Sequence, residues 1–161
     1  MKRRTFLQAL VGFPAAISFV PALEASHRPD HQIEPLKLSH KEWKERLDKM
    51  QFYVLREEGT ERAFTSPLNE EKRKGEYRCA GCDLLLFTSE MKYDSGTGWP
   101  SFFTVVEGHI GTKTDFKLIY PRTEYHCTRC GGHQGHVFND GPKPTGERWC
   151  NNGVALRFVP A

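Results

Sequence analysis

The chain has 161 residues, 38% of them hydrophobic and 27% charged, and a formal net charge of +3. That length suits one globular domain with a short appendage. Lys2, Arg3, Arg4 and Glu24 account for +2 of the charge, so the remainder carries about +1 and lacks the basic block that nucleic-acid binding requires.

Residues 1–25 have the three regions of an export signal in order. Lys2-Arg3-Arg4 precedes Thr5-Phe6-Leu7, and a mildly apolar run follows from Ala9 to Val20. Paired arginines before Phe-Leu resemble a bacterial twin-arginine signal, with Ala22 and Ala25 as small residues for cleavage. An uncleaved amphipathic or membrane-anchoring start is the competing reading. Residues 26–38 read as a linker, and 39–161 as a single domain. The expected address is the periplasm.

Ser39-His40-Lys41-Glu42 is a capping-box pattern, and Trp43, Leu47, Met50 and Val54 follow at helical spacing. One helix is predicted from about His40 to Arg56, stopped by Gly59. Thr60 to Lys74 reads as irregular. Short strands are predicted on either side of Ala80-Gly81, over 76–79 and 84–87. Further strands are predicted over 102–107, 116–120, 122–127 and 148–159, the last with an irregularity at Gly153. The expected fold is mainly β and antiparallel, with helical structure at its amino-terminal end.

Cys79-x-x-Cys82 and Cys127-x-x-Cys130 carry the strongest chemical signal. Four thiolates make a closed tetrahedral zinc site with no position for water, so such an ion is structural. The 44 residues between the pairs make this a clip joining two distant turns. Two alternatives compete. The pairs could be disulfides or redox dithiols, as an exported protein permits. Zinc could instead take Cys127, Cys130, His133 and His136, which would strand Cys79 and Cys82. Export of an already folded, zinc-loaded protein would reconcile thiolates with an oxidising compartment. A zinc-ribbon binding module without catalysis is a different function that the same cysteines allow.

Four cysteines on a metal leave Cys150 alone of the five. It is either a buried free thiol or a nucleophile. On a strand Arg148, Cys150 and Asn152 share a face, and Val154, Leu156 and Phe158 continue it if Gly153 inserts no bulge. A guanidinium beside the thiol favours the thiolate. Asn152 can orient a substrate oxygen, and His133 and His136 can supply a proton. Trp99, in the Gly98-Trp99-Pro100 loop, is either a core residue or one wall of an apolar pocket. A cysteine hydrolase would use the same thiol.

These motifs together resemble the B-type methionine-R-sulfoxide reductases. The residues that carry the likeness are the two Cys-x-x-Cys pairs, GWPSF at 98–102, HQGHVF at 133–138, RWCNN at 148–152 and LREEGTERAF at 55–64. They run in order from about Ser39 to Val159. The resemblance implies two antiparallel sheets, one structural zinc on the four paired cysteines, and no organic cofactor. It implies Cys150 as the nucleophile, passing through a sulfenic acid. His133, His136 and Asn152 would place and protonate the sulfoxide oxygen. Trp99 would hold the substrate methyl group, with Phe138, Arg148 and Asp140 in support. The substrate would be methionine-R-sulfoxide, free or in oxidised proteins, and the chain is expected to act as a monomer. Many family members carry a resolving cysteine where this chain has Thr97. Its absence implies recycling by an external reductant, thioredoxin-like or a small thiol. Gly153 stands where serine is common, and Trp149 where another aromatic is usual.

Overall fold

The computed structural model describes residues 33–161. The expected export signal and the first part of the expected linker lie outside the described residues. Leu36 and Leu38, at the end of the linker, pack against the core, and the Leu36 amide donates to the Arg129 carbonyl at 2.6 Å.

Two short helices open the domain, α1 (His40–Arg46) and α2 (Lys49–Glu57), where one was expected. The break is chemical. Asp48 and Gln51 form a second capping box, and Leu47 is extended. That box satisfies the first amides of a new helix and so fixes its start. The new start also resets the buried stripe. Trp43 and Leu47 bury from α1 and its cap, Phe52, Val54 and Leu55 from α2, and Met50 is left exposed.

The rest is antiparallel β structure, in the two sheets that the fold class anticipated. The smaller holds β1 (Gly75–Cys79) between β2 (Leu85–Thr88) and the last strand. The larger contains, in chain order, β3 (Lys92–Tyr93), β4 (Ser101–Phe102), β5 (Ile110–Asp115), β6 (Arg122–Cys127), β7 (His133–Phe138) and β8 (Arg148–Asn151). Its spatial order is β3-β4-β8-β7-β6-β5. The last strand, β9 (Leu156–Pro160), pairs with β1.

Three predicted strands are redrawn. The one over 102–107 shrinks to Ser101–Phe102, after which the Phe103 and Val106 amides donate to Met91 and Leu86. The one over 116–120 is a loop; the pairing instead uses Ile110–Asp115, closing where Asp115 meets Arg122. The long strand over 148–159 is two strands, separated by a 3-10 turn at Gly153–Ala155 that carries the chain from one sheet to the other. The parity drawn from Cys150 to Phe158 therefore stops at Asn151.

An aromatic cluster joins the sheets. Phe87 of the smaller sheet stacks on Phe102 of the larger at 3.9 Å between ring centroids. Tyr77 meets Phe102 edge-on at 5.0 Å, and Tyr125 meets Trp149 at 5.1 Å. Offset and edge-to-face pairs of this kind add to what their buried area contributes. Trp149 thus anchors β8 one residue before the lone thiol.

Candidate active site

Cys150 sits at the middle of the larger sheet. On one side Ser101 of β4 is its cross-strand partner, and on the other His136 of β7. Residues directly opposite on antiparallel strands put their side chains on one face. Gly135 makes the approach of β7 possible, because a Cβ there would lie 1.9 Å from the Cys150 carbonyl oxygen.

A cavity opens over the thiol, lined by Thr60, Trp99, Arg122, His136, Phe138 and Cys150 with Gly135, Asn151 and Asn152. Trp99 is a pocket wall, and its indole nitrogen donates to the Glu61 carbonyl at 3.1 Å. Arg148 lies against its cross-strand partner Phe138, the guanidinium 4.3 Å from the ring centroid. Both Asp140 carboxylate oxygens accept from Arg148, at 2.8 and 2.9 Å. Burial pushes the Cys150 thiol up; Arg148 and the Thr97 hydroxyl pull against that shift.

The two histidines have different settings. His133 is buried, and its Nδ1 bonds a carboxylate oxygen of Glu124 at 2.7 Å. Its Nε2 is buried without a partner. His126 bonds the other Glu124 oxygen at 3.1 Å. Burial works against the Glu124 charge, but these two histidines hold the carboxyl down to about 2. His136 is spoken for through Nε2, bonded to Asp115 at 2.7 Å. Burial pulls the His136 pKa down, against the pull of Asp115. The two rings meet edge-on at 5.5 Å, and His136 is the one that lines the cavity.

Asn152 lines the cavity, yet both polar ends of its amide meet backbone. Its Nδ2 donates to the Gln134 carbonyl at 2.9 Å, and its Oδ1 accepts from the Glu61 amide at 2.9 Å. Glu61 lies in the 55–64 segment that carries the family likeness, but the sequence assigns it no role. Its carboxylate, 3% exposed, accepts from the Gly153 amide and from the Val154 amide at 3.1 Å. One residue thus holds Trp99, Asn152 and the turn that follows the thiol. Asp115 and Glu124 were likewise missed, since nothing in a linear sequence pairs a carboxylate with a histidine nine or 21 residues away. Gly153 is tied to a neighbour too: a Cβ there would fall 1.8 Å from the Ser66 hydroxyl.

Away from the cavity, the Sγ atoms of Cys79, Cys82, Cys127 and Cys130 all lie within 4.8 Å of one another. Cys79 and Cys130 are 3.6 Å apart and Cys82 and Cys127 3.4 Å, well beyond a disulfide bond. A tetrahedron with zinc–sulfur bonds of ~2.3 Å has edges of about 3.8 Å, so these four residues fit such an ion. Guanidinium groups surround them. Arg46 donates to the Gly81 carbonyl, Arg56 to that of Cys130 and Arg129 to that of Cys82, offsetting negative charge on thiolates. The histidine alternative does not match this grouping: among the described residues Cys79 and Cys82 join Cys127 and Cys130, and neither His133 nor His136 is in the cluster.

The SelR-domain pattern matches residues 47–160. The chain belongs to the SelR-domain family. Its SelR domain is similar to a peptide methionine sulfoxide reductase MsrB of Leptospira interrogans, 49% identical over 121 residues, covering 74% of this chain and 92% of that one. A peptide methionine sulfoxide reductase MsrB of Agrobacterium fabrum is 50% identical over 123 residues, covering 76% and 91%. A chloroplastic peptide methionine sulfoxide reductase B1 of Arabidopsis thaliana is 47% identical over 140 residues, covering 83% and 69%.

Proposed function

We propose that this chain is an oxidoreductase that reduces methionine-R-sulfoxide to methionine, with Cys150 as nucleophile. The observation that carries the reading is the placement of that thiol: opposite His136, beside Arg148, under the indole of Trp99. Membership of the SelR family and the names of its relatives agree with it. A binding module without catalysis gives no reason for a lone thiol at the floor of a cavity.

The chemistry follows from the protonation states. Burial keeps Cys150 a thiol near neutral pH, so it must lose a proton to react. The departing oxygen must gain one. With Nε2 pinned on Asp115, His136 offers Nδ1 as the site that takes the thiol proton and returns it to oxygen. The Glu124 carboxylate orients His133 through Nδ1, in the manner of a carboxylate behind a catalytic histidine. Trp99 and Phe138 enclose the apolar thioether end, and Arg148 favours the thiolate.

Cys150 sulfur attacks the sulfoxide sulfur and is oxidised by two electrons as the substrate sulfur is reduced by two. In sum, thiol and sulfoxide give sulfenic acid and thioether. Two equivalents of an external thiol restore Cys150 and leave a disulfide and water. Thr97 offers no sulfur for an internal disulfide, and the four paired cysteines are committed to their cluster. That cluster would hold zinc, which ties the two Cys-x-x-Cys turns together and takes no part in the reaction. Residues 1–25 would direct export by the twin-arginine route.

The deciding experiment is turnover of the two methionine sulfoxide epimers with dithiothreitol. R-epimer turnover, one zinc and one titratable thiol are expected. Turnover of neither epimer, or an intramolecular disulfide to Cys150 after one cycle, sinks the reading. Recovery of a reporter fused after residue 25 from the cytoplasm alone would sink the export part.

A further inference from the structure

Four of the seven exposed large hydrophobic side chains among the described residues fall in one stretch: Phe116, Leu118, Ile119 and Tyr120. Phe116 is 75% exposed and Ile119 fully so. A concentration like this is uncommon on a surface that meets only water and marks an interaction site. Sequence reading made the stretch a strand, which would have hidden half of it.

The stretch is rooted at the active cavity. Asp115, just before it, bonds His136 at 2.7 Å and Arg122 at 2.7 Å. Arg122, just after it, lines the cavity that contains Cys150. Its charged neighbours largely offset one another: Glu58 pairs with Lys113, and with Lys117 at 2.8 Å, which leaves one positive charge. What this rim offers an occupant is therefore apolar side chains and little net charge.

We infer that the 116–120 loop is a docking surface for the apolar residues that flank methionine sulfoxide in an oxidised polypeptide. This rests on the reductase reading of the cavity. The cavity over Cys150 takes the sulfoxide side chain, and a polypeptide carrying it must continue across the rim. Methionine is a core residue whose oxidation disrupts packing, so damaged segments present apolar neighbours. The loop would thus favour peptide substrate over free methionine sulfoxide.

The test uses a triple variant, F116S/I119S/Y120S, in the full chain. With dithiothreitol as reductant, we expect unchanged kcat/KM for free methionine-R-sulfoxide. For a methionine-R-sulfoxide peptide flanked by Leu and Phe the expected loss is about tenfold, while a peptide flanked by Gly and Ser is unaffected. Equal losses on free and peptide substrates, or no loss on either, overturn the proposal. So does a loss seen only when a thioredoxin-like protein replaces dithiothreitol, since that makes the reductant the occupant. Fluorescence anisotropy of the labelled Leu/Phe peptide on C150S, with and without the triple change, reads docking without turnover. About tenfold weaker binding supports the loop and equal binding refutes it, even if the wild type reduces no sulfoxide.

Discussion

His136 and Cys150 face each other across β7 and β8, and the imidazole is fixed from behind by Asp115 at 2.7 Å. That bond takes Nε2 and leaves Nδ1 for the proposed proton transfer. Replacing His136 by alanine should lower kcat by ~10²–10⁴-fold, the usual range for a positioned acid or base. The D115N variant offers a finer measurement. Burial lowers the His136 pKa and Asp115 partly restores it. The base form exists above that pKa and is lost as pH falls through it. Removing the Asp115 charge should therefore move the acidic limb of kcat/KM to lower pH. A limb that stays put would assign it to another group.

Arg148 is proposed to act on the thiol by charge. Burial raises the Cys150 pKa, and Arg148 opposes it. The R148M variant keeps side-chain length and loses the charge. The thiolate forms as pH rises through the pKa, so the inflection for alkylation of Cys150 by iodoacetamide should move upward. Neutral-pH reactivity should fall about tenfold for each unit of displacement. An unmoved inflection would mean that Arg148 serves only to hold Asp140 and Phe138.

Acid stability should report on Glu124. Its folded pKa is held down to about 2, below its ordinary value of 4.5. A depressed carboxyl stabilises the fold above the unfolded pKa, and that contribution is lost as pH falls through the folded one. Stability should decline between pH 4.5 and 2, by on the order of 3 kcal/mol for this buried group. In E124Q the decline over that window should be smaller, measured by urea unfolding at a series of pH values. An identical slope in both proteins would count against the Glu124–histidine pairing.

The cysteine cluster predicts a separation of fold from catalysis. C127S should lower zinc content and melting temperature together, because metal affinity at such sites is folding free energy. C150S should change neither, while abolishing sulfoxide reduction. Unchanged stability of C127S, measured by thermal unfolding with a metal count, would dismiss the structural zinc.

How much of this was legible beforehand follows from what kind of signal each part leaves. The paired cysteines, β1, β2 and β6 announce themselves locally, by spacing, turns and alternation. Cys150 stands out as the cysteine left over from two pairs, and the family pattern adds the roles expected of it and of Trp99. The helix break at Asp48 was also written locally, as a second capping box hidden beneath a continuous apolar stripe. Residues 116–120 misled for the opposite reason: strand-like side chains that the chain exposes instead of pairing. The roles of Asp115, Glu124 and Glu61 left no local trace, since each acts on a partner that only sheet registry and loop packing bring near.

Glu61 gives the sharpest case of such a hidden residue. Its carboxylate accepts two backbone amides of the turn after Cys150, while its own backbone meets Trp99 and Asn152. In E61Q an amide NH₂ replaces one acceptor oxygen and confronts an N–H, leaving a buried donor unpaired at a cost of about 1–3 kcal/mol. The turn and the Trp99 wall should shift, so KM for free sulfoxide should rise several-fold. Cys150, the proposed nucleophile, lies on β8 between Ser101 and His136, with Trp149 packed beside it, and should keep its reactivity. The expected signature is thus a raised KM and altered tryptophan fluorescence, with an unchanged rate of Cys150 alkylation and unchanged zinc content. Alkylation that slows in step with the rise in KM would show that Glu61 supports the whole site and does not place the substrate wall in particular.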